Sequence, residues 1–308
     1  MRLITRSDFD GLVCAVLLKE VMDIDPIEFV HPKDVQDGKI AVGANDILTN
    51  LPYVPGVGLW FDHHSSEAVR NDMDGVSYAG RFEVAPSAAR VVYNYYQEKG
   101  DSAKFGKYDE LLTVVDKSDS ANLSREDVVS PSGWILLSYV MDPRTGLAYY
   151  RNYRISNRDL MMKMVEWIPS KSVAEILNEP DVKERVDRYF EGVEEFRRIN
   201  QKHSRVDGNV IITDLRDIGE MPTGNRFLIY TMFPEQNIQV RIFDGKRGEF
   251  VVCAVGHSIF NRTSNTDVGK LMDRYGGGGH RGAGTCQLPI EGADSKIREI
   301  IEKCKRDG

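Results

Sequence analysis

At 308 residues the chain is longer than one core ordinarily supports, since single cores stop growing near about 250–300 residues and domains cluster around about 100–150; two domains are expected. A hydrophobic fraction of 41% and a charged fraction of 28% are those of a globular protein, and no run approaches the roughly 18 consecutive apolar residues of a membrane helix. The net charge of −7 excludes a sequence-independent grip on long duplex DNA and favours a small phosphorylated molecule, bound locally.

From the first residue the chain enters a strand-like run and an acidic turn, without the basic stretch, apolar block and cleavage site of an export signal. Leu3 to Thr5 reads as a strand, Gly11 to Val21 as a helix, and Ile27 to Val30, Ile40 to Ala44 and Gly58 to Phe61 as further strands. This alternation predicts an α/β domain, a mostly parallel sheet flanked by helices. Pro86 opens a helix to about Tyr96 with Ser87 at its cap or first turn, and apolar residues recur at helical spacing from Tyr108 to about Phe196. The charged segment from Val182 to Lys202 reads as a solvated helix joining the domains.

After Gly208 the character turns β-rich. Val210 to Thr213, Arg226 to Thr231, Ile238 to Phe243 and Phe250 to Val255 read as strands, Val268 to Tyr275 as a helix, Ala283 to Leu288 as a strand and Asp294 to Lys305 as a last helix. The expected organisation is a metal-binding catalytic domain over 1–190, a helical connector over 191–207 and a smaller α+β domain over 208–308, with a cleft between the domains. Cys14, Cys253, Cys286 and Cys304 lack C-x-x-C spacing and suit structural thiols in a reducing cytoplasm.

Three acidic clusters fall where a doubly wound sheet gathers ligands, at the carboxyl ends of strands: Asp8-Phe9-Asp10-Gly11, Asn45-Asp46 and Asp62-His63-His64. Carboxylates crowded in this way repel one another, and divalent cations remove that cost. Oxygen ligands with one or two imidazoles suit Mn²⁺ or Mg²⁺ better than a thiolate-preferring metal. Adjacent residues of a strand face opposite ways, so one of His63 and His64 is expected on metal and the other on substrate phosphate. His31 reads as a structural histidine at a strand end, and His203 as solvated.

Asp62-His63-His64, with the upstream Asp8-Phe9-Asp10-Gly11 and Asp46, resembles the DHH phosphoesterase superfamily. The run Gly276-Gly277-Gly278-Gly279-His280 resembles the signature of the DHH-associated C-terminal domain. That resemblance implies a two-ion manganese centre, with Mg²⁺ or Co²⁺ as substitutes. Asp8, Asp10, Asp46, Asp62 and His63 would be metal ligands, Asp46 would bridge, and Asp62, His63 and His64 would form the catalytic motif. A fourth-motif ligand would be Asp116 or Asp119, between which the sequence does not choose. Many members carry a histidine where this chain has Ile4 or Arg6. Arg6 is therefore expected either to pair with neighbouring carboxylates or to reach substrate phosphate.

Two ions would activate a water for in-line attack on phosphorus, and no protein nucleophile is needed. In the C-terminal domain Gly277, Gly278 and Gly279 would let backbone N–H groups converge on an anion, with His280 and Arg281 as added donors. Arg262 is the candidate for a terminal phosphate, and His257 and Asn261 for a base or sugar. The leading reading is a cytoplasmic hydrolase of nanoRNA, a linear or cyclic dinucleotide or a bisphosphonucleotide, without long duplex DNA or a membrane as partner. A homodimer is compatible with the resemblance. The alternatives are an inorganic polyphosphate hydrolase and a lapsed enzyme that binds nucleotide as a regulatory module.

Overall fold

The computed structural model describes residues 1–64, 77–245 and 248–308. It divides into two compact units, one of residues 1–123 and 131–188 and the other of residues 124–130 and 189–308. Among the described residues the α-helices are, in chain order, α1 (Phe9–Val21), α2 (Pro32–Gln36), α3 (Ala88–Glu98), α4 (Asp109–Asp119), α5 (Arg125–Val129), α6 (Gly133–Met141), α7 (Asn157–Trp167), α8 (Val173–Asn178), α9 (Pro180–Lys202), α10 (Leu228–Met232), α11 (Val268–Asp273) and α12 (Ala293–Asp307).

Among its described residues the first unit has five strands, β1 (Arg2–Arg6), β2 (Ile27–Val30), β3 (Asp46–Thr49), β4 (Leu59–Asp62) and β5 (Gly80–Phe82). All are parallel, in the order β2-β1-β3-β4-β5. Strands covered on both faces read as apolar runs rather than alternations, and Leu3, Ile4, Ile47, Leu48, Trp60 and Phe61 are all fully buried. Helix α1 is buried without interruption from Phe9 to Leu18, as expected of a helix apolar on every side. The chain runs from β1 to β2 on one side and returns to β3 on the other, so the order turns back between β1 and β3.

In the second unit β6 (Ser204–Asp207), β7 (Val210–Asp214), β8 (Ile238–Asp244), β9 (Phe250–His257), β10 (Gly278–His280) and β11 (Ala283–Pro289) form a mixed sheet in the order β10-β11-β9-β8-β7-β6. Among the described residues of this sheet only the β7–β8 pairing is parallel. Ile297, Ile300, Ile301 and Cys304 of α12 pack with Leu271 and Met272 of α11 and with Val210, Val240 and Val255 of the sheet; their spacing is one apolar stripe of a helix. Among the described residues no helix is long and apolar enough to cross a membrane.

Three expected elements differ. The strand expected over Ile40–Ala44 is irregular, and the strand of this region is Asp46–Thr49, every residue of it buried. Local hydrogen bonds hold the preceding turn: Gly43 N–H donates to Asp46 Oδ2 at 2.7 Å, and Arg2 Nη2 donates to the Ala41 carbonyl at 2.7 Å. The strand expected over Arg226–Thr231 is instead helix α10, because a short apolar run has no period to separate the two forms and Asn225 Oδ1 accepts from Phe227 N–H at 2.9 Å to start the turn. Residues 204–207, expected within the helical connector, form β6 and pair with β7.

Candidate metal centre

Parallel strands end on one edge. β1, β3 and β4 finish at Arg6, Thr49 and Asp62, so Ser7 to Asp10, Asn50 and His63-His64 emerge along the same edge, the ligand-binding side of an open α/β sheet. Gly11 makes the turn from β1 into α1: a Cβ there would lie 2.1 Å from the Arg6 carbonyl oxygen, so only glycine lets helix and strand meet this closely.

Asp8 caps α1. Its Oδ1 accepts from Gly11 N–H at 3.0 Å and Asn50 Nδ2 at 3.1 Å, and its Oδ2 lies 2.8 Å from Arg6 Nε. Asp10 is 2% exposed, and its two oxygens accept from Ala88 N–H and Ala89 N–H, both at 2.8 Å, where the first turn of α3 turns its amides outward. His63 Nδ1 donates to the Ala85 carbonyl at 3.0 Å. That bond leaves Nε2 as the lone-pair nitrogen, 3.2 Å from Asp119 Oδ2 and 3.8 Å from Asp10 Oδ2.

His63 Nε2 is buried and makes no hydrogen bond among the described residues. Ligand atoms of Asp10, His63 and Asp119 all lie within 4.8 Å of one another. Burial pushes the Asp10 carboxyl well up, helped by Asp119 and Asp8 and opposed by the two backbone amides. Burial likewise raises Asp8, with Arg6 pulling it down and Asp119 adding to the rise. Buried carboxyls that resist ionisation, beside an imidazole lone pair without a donor, fit a hard divalent cation. Asp62, fully buried, accepts from His64 Nδ1 at 2.8 Å and so fixes the second histidine's ring; ligand atoms of Asp62, His63 and His64 form a second group within 4.8 Å of one another, sharing His63 with the first.

The structure separates the two fourth-motif candidates. Asp116 accepts from Ser87 Oγ at 2.7 Å and from Arg90 Nε and Nη2 at 2.9 and 2.6 Å, while Asp119 faces His63. Asp46, expected to bridge, is not brought to the cluster. It begins β3 in register with Arg2, accepts from Arg2 Nε at 2.9 Å and Nη2 at 2.7 Å, and stands about 13 Å of strand from Asn50. The physical reason is the displaced strand: a carboxylate expected at a strand's end stands at its beginning. Arg6 takes its pairing role on Asp8. Sequence reasoning missed Asn50, and also Arg144, whose charge lowers Asp8 and whose Nε donates to Asp142 Oδ1 at 2.7 Å. Arg144 lies far along the chain from Asp8 and Asp10, in the turn Pro143–Thr145, with no local motif to mark it.

In the second unit the glycine run is not a free loop: Gly278 to His280 form β10, paired with β11. A Cβ on Gly277 would lie 2.2 Å from the Thr285 carbonyl oxygen and one on Gly279 2.3 Å from that of Ala283, while one on Gly278 meets nothing within 4 Å. Strand packing therefore accounts for two of these glycines, whereas Gly278 faces open space. His280 and Arg281 are exposed at the β10–β11 turn. His257 Nε2 donates to the Thr266 carbonyl at 2.8 Å, and burial lowers its pKa, so the neutral ring keeps Nδ1 as an acceptor. Asn261 is engaged at both ends, by the Glu235 carbonyl and Thr263 Oγ1, and Arg262 Nε donates to the Ile259 carbonyl at 3.0 Å.

No protein-family model matches the chain, and comparison with curated proteins finds no match. Solved structures do match. A pGpG-specific phosphodiesterase, PggH from Vibrio cholerae, is 45% identical, with a TM-score of 0.84 over 100% of this chain and 99% of that one. The DHH domain of a protein described as a member of a ribosomal-protein family is 12% identical with a TM-score of 0.56, covering 99% of this chain and 86% of that one. RecJ in complex with Mn²⁺ from Thermus thermophilus is 12% identical with a TM-score of 0.53, covering 99% of this chain and 52% of that one. The two distant likenesses show the shared fold. Identity of 45% along the whole length of both chains, on a parallel sheet whose edge joins Asp10 to the histidine of Asp62-His63-His64, shows that this chain belongs to the DHH phosphoesterase superfamily.

Proposed function

We propose that the chain hydrolyses the internucleotide phosphodiester of a short linear dinucleotide, with pGpG the first candidate, on a centre of two divalent cations, Mn²⁺ foremost and Mg²⁺ or Co²⁺ as substitutes. The observation that carries this reading is the full-length similarity to a pGpG-specific phosphodiesterase, joined to the buried grouping of Asp10, His63 and Asp119. Bound cations would supply Lewis acidity and an activated water. Asp10, Asp119 and His63 are the proposed ligands, with Asp8 beside them, its carboxylate already shared with Arg6 and the cap of α1.

Asp62 holds the His64 ring in one tautomer, and His64 is assigned to substrate phosphate. Arg144 is assigned to hold negative charge near Asp8 and Asp119. His280 and Arg281 are assigned to phosphate, Gly278 to close backbone approach, and the neutral His257 to accept from a base or sugar. A reducing cytoplasm suits Cys253 and Cys286, which stand opposite one another across β9 and β11 as free thiols.

The test is a Mn²⁺-supplemented assay comparing pGpG, other linear dinucleotides, cyclic dinucleotides, bisphosphonucleotides and polyphosphate. Preferred release of mononucleotides from linear dinucleotides is expected, lost on chelation. Stronger phosphate release from polyphosphate, or nucleotide binding without turnover, would replace this reading.

A further inference from the structure

Asn50 follows β3 at the place where the strand order turns back between β1 and β3, the crevice in which a sheet of this order binds its ligands. The residue is 1% exposed. Its Nδ2 donates to Asp8 Oδ1 at 3.1 Å. Gly11 N–H already donates to this same Asp8 oxygen and Arg6 Nε faces the other, so Asp8 accepts at both oxygens and the bond from Asn50 sets which end of its carboxamide is nitrogen and which is oxygen. The oxygen, Oδ1, is buried and finds no donor among the described residues.

An unpaired buried acceptor costs about 1–3 kcal/mol, and the same sheet edge holds a second orphan of the same kind, His63 Nε2. Both are lone-pair atoms, and both belong to side chains in contact with carboxylates of the cluster, Asn50 with Asp8 and His63 with Asp119. A cation is the partner that satisfies lone pairs and carboxylates together. The backbone of Asn50, at φ 54°, explains why asparagine or glycine is favoured here. That conformation does not explain why the carboxamide is buried with one end unpaired.

We propose that Asn50 Oδ1 is a ligand of the metal centre, a neutral oxygen among the carboxylates of Asp8, Asp10 and Asp119. Its carboxamide does two things at once: the N–H end holds Asp8, and the oxygen end faces the ion. A carboxylate at this position would make the centre more negative. Asn50 therefore keeps cation affinity below what an aspartate would give, and it tempers the repulsion within the metal-free protein. This inference rests on the cation-centre reading above.

The test is Mn²⁺ titration by calorimetry of the metal-free wild type, Asn50→Gly and Asn50→Asp, with thermal unfolding of each in the presence and absence of Mn²⁺. Glycine keeps the left-handed backbone without strain while deleting the carboxamide. Asn50→Gly is expected to bind Mn²⁺ about tenfold or more weakly and to show a smaller Mn²⁺-induced rise in Tm. Asn50→Asp is expected to bind at least as tightly as wild type and to show a larger rise, because its metal-free form sets two carboxylates against each other.

Wild-type affinity in Asn50→Gly would overturn the assignment. If the glycine variant does not fold, Asn50→Asp decides alone: binding weaker than wild type would mean that the amide N–H to Asp8 matters and the oxygen does not. Failure of the wild type itself to bind Mn²⁺ would instead remove the underlying cation-centre reading.

Discussion

Asp116 and Asp119 stand three residues apart on α4, close enough in sequence to be alternatives and different in every contact. Arg90 and Ser87 already satisfy Asp116, whereas Asp119 meets His63. Asp119→Asn is expected to lower Mn²⁺-dependent hydrolysis about 100-fold while leaving the fold intact. Asp116→Asn is expected to keep wild-type Mn²⁺ affinity and lose about 1 kcal/mol of stability, read from urea unfolding. The reverse pattern would exchange their roles.

Asp46 supplies a pH test at the same scale. Its hydrogen bonds from Arg2 hold its carboxyl below the usual range, so the folded pKa lies under the unfolded one. The resulting stability is present above about pH 4 and is lost as pH falls through the folded pKa. Asp46→Asn should show a shallower loss of stability in that acid window than wild type, with hydrolysis at neutral pH unchanged; a large loss of hydrolysis would return Asp46 to the centre. Asp10 and His63 were legible in sequence because their motifs are contiguous and chemically loaded. Asn50 was not, because sequence reasoning weights carboxylates over carboxamides, and neither Asp116 nor Asp119 shows its partner until α4 is placed against the sheet.

The elements that were legible carry strong periodicity or capping. Helix α12 shows its apolar stripe, and α1 shows the Asp8 cap and the glycine behind it. The misplaced strand before Asp46 and the helix at Leu228–Met232 are short apolar runs of the kind that fit either form, and hydrogen bonds from the backbone N–H groups of Gly43 and Phe227 to the side chains of Asp46 and Asn225 decide them. Gly11 tests the strand-to-helix turn directly. Gly11→Ala places a methyl 2.1 Å from the Arg6 carbonyl oxygen and should cost about 2–3 kcal/mol in denaturant unfolding, with weakened Mn²⁺ binding because Asp8 and Asp10 flank that turn. Wild-type stability in this variant would mean that the turn is looser than described.

For the whole molecule, the mixed sheet is legible in the change of pattern near Gly208, where helical spacing gives way to β-rich runs, but the two units divide between Arg188 and Tyr189, inside α9, and the second also takes residues 124–130. An edge carrying acidic and histidine side chains that could hold a metal was legible in the order of the acidic clusters, but the membership of that edge depended on register, which a single strand does not reveal. A cation bound to the folded state alone adds about 2.7 kcal/mol of stability at one hundred times its Kd, so Mn²⁺ should raise Tm and chelation should reverse the rise. His63→Ala should abolish most of that increment. The most direct test is anomalous diffraction at the manganese edge from crystals grown with Mn²⁺. The expected result is a peak within bonding distance of Asp10, His63 and Asp119; a peak at Asp46, or none at the carboxyl edge of the parallel sheet, would refute the assignment.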